Sequence, residues 1–238
     1  MSLDTALKDI DRVLIISTDR IDIPGLRIKQ HRNAVDAAVR AGVEHILYTS
    51  MLNPERSLIP FAPDHFGTEQ AIEQSGLDYS ILRVSWYAEN LLGSLPGVLA
   101  SGKWFTSAGS GRIAYVPRED VARACAGALA SRSGTRERLN ITGPVPQTIA
   151  EIAAIASKLF GKQIDVVQIS DDELKEGLLA AGVPAAYVPL IVATDASIRG
   201  GHFDVPTDAV KRLTGTDAQS VESYLRANRA AVSGAATK

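Results

Sequence analysis

His65 and Glu69 are the pair of side chains in this sequence whose types and spacing most directly suggest acid–base chemistry. Asp64 can cap a helix that runs to about Gln74, and residues four apart on such a helix share one face. A carboxylate beside an imidazole raises the pKa of the imidazole and favours a proton-donating imidazolium. The alternative is a surface pair on a helix with no role in chemistry.

Small polar and aromatic residues end or follow three predicted strands, which are the continuous apolar run 13–16 and the segments 43–48 and 77–84. Continuous apolar runs are typical of strands that are buried on both faces in a parallel sheet. Open α/β sheets bind ligands beyond the carboxyl ends of their strands, so the residues at these ends are candidate site residues. They are Ser17, Thr18, Tyr48, Thr49, Ser50, Ser85, Trp86, Tyr87 and Asn90.

The aromatic candidates each have two interpretations. Trp86 and Tyr87 are adjacent and can stack on a flat ring, or they can pack between the sheet and a second lobe. Tyr48 can face a ligand or belong to the core.

The segment from Gln30 to Ser50 positions several of these candidates. Its first half has helical periodicity, Gly42 can end that helix in a left-handed cap, and a short strand follows. A helix that feeds a strand through a glycine turn is half of a βαβ unit, which predicts an α/β fold with a parallel sheet. The stretch 93–111, rich in glycine and proline, predicts irregular structure, and Thr148 predicts the start of a helix over 149–160.

Composition narrows the classes of function. The chain has 238 residues and a net charge of −2, and neither favours a nucleic-acid partner or an anionic membrane. No segment has the apolar length of a membrane span, and the start is too charged for a signal peptide. The single Cys125 excludes an internal disulfide and fits a reducing cytoplasm. His45 and His202 lie at no metal-ligand spacing, so we predict no metal site.

The order of several motifs resembles one family. A strand ending in ST is followed by QHRN, LYTS, DHFGTE, YSILR with WYAEN, REDVARA and LNITGP, over nearly all of residues 4–226. In this order they resemble the NmrA-like atypical short-chain dehydrogenases, and within that family the bacterial NAD(P)H-quinone oxidoreductases and triphenylmethane-dye reductases. The resemblance implies a Rossmann-type parallel sheet in residues 1–135 and a smaller mixed α/β lobe on the substrate side, in 136–238 and interleaved with the first.

The activity that the resemblance implies is NAD(P)H-dependent reduction, with hydride passing directly to a quinone or a similar flat acceptor. NADPH is favoured over NADH as the cofactor. Two alternatives stay open. NmrA-like regulators bind dinucleotide without catalysis, and the chain could be an inactive truncated product.

The resemblance also implies roles for the candidate residues. Ser50, His65 and Glu69 would be catalytic, and His65 and Glu69 stand where short-chain dehydrogenases carry Tyr-x-x-x-Lys. The replacement of Tyr and Lys argues against an alcohol dehydrogenase. It is still compatible with hydride transfer to a quinone, since a quinone can take its proton from water. The residues expected to bind the cofactor are Ser17, Thr18, Tyr48, Thr49, Ser50, Ser85 and Trp86, and those expected to bind the acceptor are Trp86, Tyr87 and Asn90.

One departure from the family concerns the cofactor. Family members begin with a strand and a GxTGxxG turn, which this sequence lacks. We therefore expect the chain to begin near the fourth strand of the family fold, about 60 residues into it, and to bind the dinucleotide weakly. We also expect an uncovered edge on the strand at 13–16, and hence aggregation or a homodimer that covers this edge.

Overall fold

The computed structural model describes residues 2–131 and 136–233 of an α/β protein. Its strands are β1 (Arg12–Ile15), β2 (His45–Met51), β3 (Asp78–Val84), β4 (Lys103–Thr106), β5 (Arg112–Ile113), β6 (Glu137–Ile141), β7 (Gln147–Thr148) and β8 (Asp165–Gln168). Its helices are α1 (Leu3–Ala6), α2 (Leu26–Ala41), α3 (Ala62–Gln74), α4 (Asn90–Ser101), α5 (Arg118–Ala130), α6 (Ile149–Phe160), α7 (Asp171–Ala180), α8 (Val188–Arg199), α9 (Ala209–Thr214), α10 (Val221–Ala227) and α11 (Arg229–Val232).

The central sheet has the strand order β1-β2-β3-β6, and all of its neighbours pair in parallel. The predicted α/β fold with a parallel sheet is therefore confirmed. Two small sheets, a parallel β4–β8 pair and an antiparallel β5–β7 pair, come from the second half of the chain. Strand β6 follows residue 136 and yet lies in the central sheet. The division at 135/136 stays a prediction, and residues 132–135 lie outside the described residues.

Helix α2 packs against one face of the central sheet, called the front here, and ends as predicted. Gly42 adopts a left-handed conformation with φ 73°, and its N–H donates to the carbonyl of Ala38. The buried face of α2, which includes Val35 and Ala38, packs in one core cluster with Ile46 and Tyr48 of β2. Since α2 and α3 both follow parallel strands, their first turns begin at the carboxyl edge of the sheet.

The prediction of irregular structure over 93–111 is wrong for 93–106 and holds only for 107–111. Helix α4 continues through Pro96 to Ser101, and β4 follows it directly. The reason is packing, because Leu91, Leu95 and Val98 recur at helical spacing and are buried in one core cluster with Ile152 and Leu225. This burial outweighs the low helix propensity of the intervening glycines and proline.

Helix α5 covers the back of the sheet. Cys125 is buried there among apolar side chains that include Leu47 of β2 and Val210 of α9. Gly127 lets α5 and α9 approach closely, since a Cβ atom at this position would lie 2.1 Å from the carbonyl oxygen of Leu213. The sheet is thus covered on both faces.

Strand β1 forms an edge of the central sheet. Within the described residues it pairs with β2 alone. Apolar side chains beside it are exposed, among them Ile16 at 67% and Ile21 at 51%. Across the described ranges, no helix has the length and apolar character needed to cross a membrane.

An open edge with exposed isoleucines predicts self-association through β1. Replacing Ile16 with Lys should weaken this association about tenfold, because burial of one isoleucine contributes about 1.5 kcal/mol or more and a lysine resists burial. Val39→Lys is the matched control, since Val39 is exposed on the outer face of α2. Sedimentation velocity over a range of concentrations measures the effect. Equal association of the two variants would contradict a role for the edge.

Candidate active site at the carboxyl edge of the sheet

The parallel register brings the predicted strand-end residues to one edge. Ile15 pairs with Tyr48, and Ser50 pairs with Arg83. The backbone N–H of Ser17 donates to Thr49 Oγ1 over 3.0 Å. The end of β1 is therefore tied directly to the end of β2.

Thr18 is held by the second turn of α2. Its backbone N–H donates to His31 Nε2 over 3.0 Å, and its hydroxyl donates to Gln30 Oε1 over 3.0 Å. His31 was not among the residues that the sequence singles out, because nothing local shows that its ring reaches back to the strand end. The structure adds it to the site.

Ser50 and Glu69 form a second buried group with Arg83. The Ser50 hydroxyl donates to Glu69 Oε1 over 2.5 Å, and Arg83 donates to both oxygens of the same carboxylate, over 3.0 and 2.6 Å. Glu69 is 1% exposed, so its charge needs this arginine. The Ser50 hydroxyl proton is therefore held by Glu69, and a catalytic role for Ser50 stays a prediction.

The expected pairing of His65 with Glu69 is wrong. His65 is buried and instead contacts Arg27, whose Nη2 lies 2.8 Å from His65 Nε2, and Tyr48, whose hydroxyl lies 2.9 Å from Nδ1. Burial, followed by the positive charge of Arg27, lowers the pKa of His65 well below its ordinary value. The ring is therefore neutral rather than a proton-donating imidazolium.

Two obligate donors determine the tautomers of both histidines. A guanidinium can only donate, so His65 Nε2 accepts from Arg27 and Nδ1–H donates to the Tyr48 oxygen. A backbone N–H can only donate, so His31 Nε2 accepts from Thr18 and Nδ1–H donates to Thr68 Oγ1 over 2.9 Å. In this buried layer of polar side chains, both histidines therefore accept at Nε2 and donate at Nδ1.

Arg27 itself is only partly satisfied. It is 4% exposed, and its Nε and Nη1 atoms have no hydrogen-bond partner among the described residues. Its guanidinium lies over the Phe61 ring, 4.9 Å from the centroid. The role of Arg27 could not be predicted from the local sequence, since the side chains that it contacts belong to α3 and to the residue before it.

Tyr48 belongs to the core. Its side chain is fully buried, and burial raises the pKa of its phenol. Of the two interpretations of Tyr48, the structure supports packing rather than an exposed ligand contact.

The segment after β3 separates its two aromatic residues. Trp86 is half-buried and packs against Phe203, with ring centroids 5.8 Å apart. Tyr87 packs on the opposite face of the sheet, with the core cluster that includes Leu47 and Cys125. The Arg118 guanidinium lies 4.8 Å from its ring centroid. The two rings therefore do not form one stacking surface. Asn90 is exposed at the start of α4.

Ser85 offers an unused hydroxyl at this edge. Its backbone N–H donates to the Ile141 carbonyl over 2.9 Å, while its Oγ is buried and has no partner among the described residues. Buried hydroxyls are normally hydrogen-bonded, so this atom is suited to a polar ligand group. The part of the chain that the structure describes contains no cluster of side chains suited to a metal ion.

Comparisons with known proteins agree with this arrangement. A family described as NAD(P)H-binding matches residues 1–132. The chain is 32% identical over 231 residues to quinone oxidoreductase 2 of Escherichia coli (strain K12), covering 95% of this chain and 80% of that protein. The chain belongs to the NAD(P)H-binding, NmrA-like family.

Solved structures of similar proteins contain the cofactor. An NADPH-dependent quinone oxidoreductase of Escherichia coli in complex with NADPH has a TM-score of 0.88 at 30% identity, over 94% of this chain and 78% of that chain. The Citrobacter sp. triphenylmethane reductase in complex with NADP(H) has a TM-score of 0.86 at 33% identity, over 94% and 79%. The predicted family, Rossmann-type fold and NAD(P) cofactor are confirmed.

The residues at this edge fit the nicotinamide end of a dinucleotide. Its ribose hydroxyls and carboxamide need hydrogen-bonding partners inside the protein. The buried Ser85 hydroxyl has no partner among the described residues, and Thr49, which accepts from Ser17, still has its own hydroxyl proton to donate.

The neutral histidines predict that stability falls in mild acid. Burial, and then Arg27, lowers the pKa of His31 from 6.5 to about 4 in the folded state. The unfolded chain therefore binds the extra proton first, and stability present above pH 6.5 is lost as the pH falls toward 4. His31→Gln should make this loss shallower by up to about 1.4 kcal/mol per pH unit. Urea unfolding at several pH values measures the slope, and an identical slope in both proteins would contradict the assignment.

Proposed function

We propose that this chain is an NAD(P)H-dependent reductase that transfers hydride from the dihydronicotinamide to a quinone or a similar conjugated acceptor, with NADPH as the favoured cofactor. The observation that supports it most is that two adjacent residues at the carboxyl edge of an NAD(P)H-binding fold offer groups for a ligand. The buried Ser85 hydroxyl has no partner among the described residues, and the Trp86 ring is half-buried. The hydroxyl suits the cofactor and the ring suits a flat acceptor. The names of the relatives, one for quinones and one for triphenylmethane, support a conjugated acceptor.

Each residue at the edge has a distinct role in this proposal. Ser17, Thr18 and Thr49 line the ribose side, and the bond between Ser17 and Thr49 holds this side together. Ser85 and Trp86 border the nicotinamide and the acceptor. The bound cofactor supplies the hydride.

The reduced acceptor takes its proton from water in this proposal. His65 has both ring nitrogens engaged inside the protein, and the Ser50 proton is held by Glu69. These residues therefore act by holding the ends of β2 and β3 in place. A quinone suits such a site, since it accepts hydride without a protein acid.

Fluorescence titration with NADPH and a quinone-dependent NADPH oxidation assay together test the proposal. We expect binding and oxidation that depend on both substrates. Binding without oxidation would favour the alternative of an NmrA-like regulator. Neither binding nor oxidation would favour an inactive product and contradict the proposal.

Replacing Trp86 with Ala should raise the KM for the quinone about three- to tenfold and leave kcat nearly unchanged, since stacking that is equal in ground and transition states acts on KM. Trp86→Phe should have an intermediate effect because it keeps a ring. Trp104→Ala is the control, because Trp104 is also half-buried against the same core cluster but lies on β4. Equal KM values for both alanine variants would argue against stacking at Trp86.

A further inference from the structure

We propose that His31 is a positioning residue, which holds the turn after β1 in the shape that the dinucleotide requires. The inference rests on the proposed function and goes beyond it, since it assigns a role to a side chain that does not itself reach the cofactor. The turn concerned is Ser17–Thr18, on the ribose side of the site.

The first step is that the turn depends on few contacts. The Ser17 N–H is held by Thr49 Oγ1, and the Thr18 N–H by His31 Nε2. The segment 19–25 that follows is exposed and contains no helix or strand. The His31 ring is therefore one of the few buried groups that determine where the chain goes after β1.

The second step is that the His31 ring is itself rigid. It is 1% exposed, and its Nδ1 lies 2.9 Å from the hydroxyl of Thr68 on α3. That hydroxyl donates in turn to the Asp64 carbonyl over 2.6 Å. The turn after β1 is thus braced, through one imidazole, against the backbone of α3.

The third step is chemical. The contact requires a lone pair at the position of Nε2 and a donor at the position of Nδ1, about one ring width apart. Glutamine can reproduce the acceptor at Nε2 with its side-chain oxygen, whereas leucine fills similar space without any acceptor. The partly buried Thr18 N–H would then lose its partner within the protein, or the turn would move out of place.

The experiment compares wild type with His31→Leu, His31→Gln and a control, His45→Leu. His45 is a good control because it is also buried, at 2% exposure, and bonds a side-chain hydroxyl, that of Ser80. It lies at the opposite, amino end of β2. Two quantities are measured for each protein, namely the exchange rate of the Thr18 amide hydrogen without ligand and the Kd for NADPH.

We expect His31→Leu to accelerate exchange of the Thr18 amide about tenfold or more and to weaken NADPH binding about five- to tenfold, as loss of one buried hydrogen bond implies. His31→Gln should restore most of both values. His45→Leu should change neither, even if it lowers the stability of the fold by a similar amount. This pattern would support the inference.

Three results would overturn the inference. One is unchanged Thr18 exchange and NADPH affinity in His31→Leu, and another is equal changes in His31→Leu and His45→Leu, which would show a general loss of stability. The third is faster Thr18 exchange in His31→Leu with an unaltered Kd for NADPH. This result would show that His31 stabilises the turn but does not affect cofactor binding. In each of these cases NADPH binding together with quinone-dependent NADPH oxidation by the wild type would preserve the proposed function. If the wild type binds no NADPH, the proposed function fails and the inference fails with it.

Discussion

The buried guanidinium of Arg27 determines the polarity of the hydrogen bonds around it. It lies between the first turns of α2 and α3 with no carboxylate in ion-pair contact among the described residues, and it donates to His65. Burial and then this positive charge lower the pKa of the His65 imidazole, and the guanidinium donor makes its Nε2 an acceptor. The Thr18 amide imposes the same tautomer on His31 from the other side of the layer. Both ring nitrogens of each histidine are therefore engaged by groups inside the protein.

The parallel register gives this polar layer its place beside the edge. Successive residues of β2 point to opposite faces of the sheet. Tyr48 and Ser50 thus reach α3 on the front, where they meet His65 and Glu69. Thr49 is left to hold the Ser17 amide. One short strand therefore supplies both the buried support and the polar edge of the site.

Much of the fold could be predicted from local sequence signals. The apolar runs gave the parallel strands, Gly42 ended α2, and Thr148 begins α6 with a capping box that includes Glu151. The stretch 93–106 was mispredicted because the buried leucines of α4 outweigh its glycines and Pro96, and that burial depends on core residues distant in sequence.

The site was harder to predict because its partners are distant in sequence. His65 and Glu69 do lie four apart on α3, yet each finds a stronger partner elsewhere, Arg27 for the imidazole and Arg83 for the carboxylate. Spacing along one helix shows which side chains are near each other, and it cannot show which charges the neighbouring helix and strand bring. For the same reason nothing local in the sequence singled out His31.

The most direct test of the site is hydrogen exchange measured along the whole chain with and without saturating NADPH. If the carboxyl edge binds the nicotinamide end, the amides of Ser17 and Thr18, of Thr49 and of Ser85 and Trp86 should exchange more slowly with NADPH, while the amino ends of β1, β2 and β3 should not change. Protection confined to the outer face of α2 and α3, or to no part of this edge, would contradict the assignment of the active site.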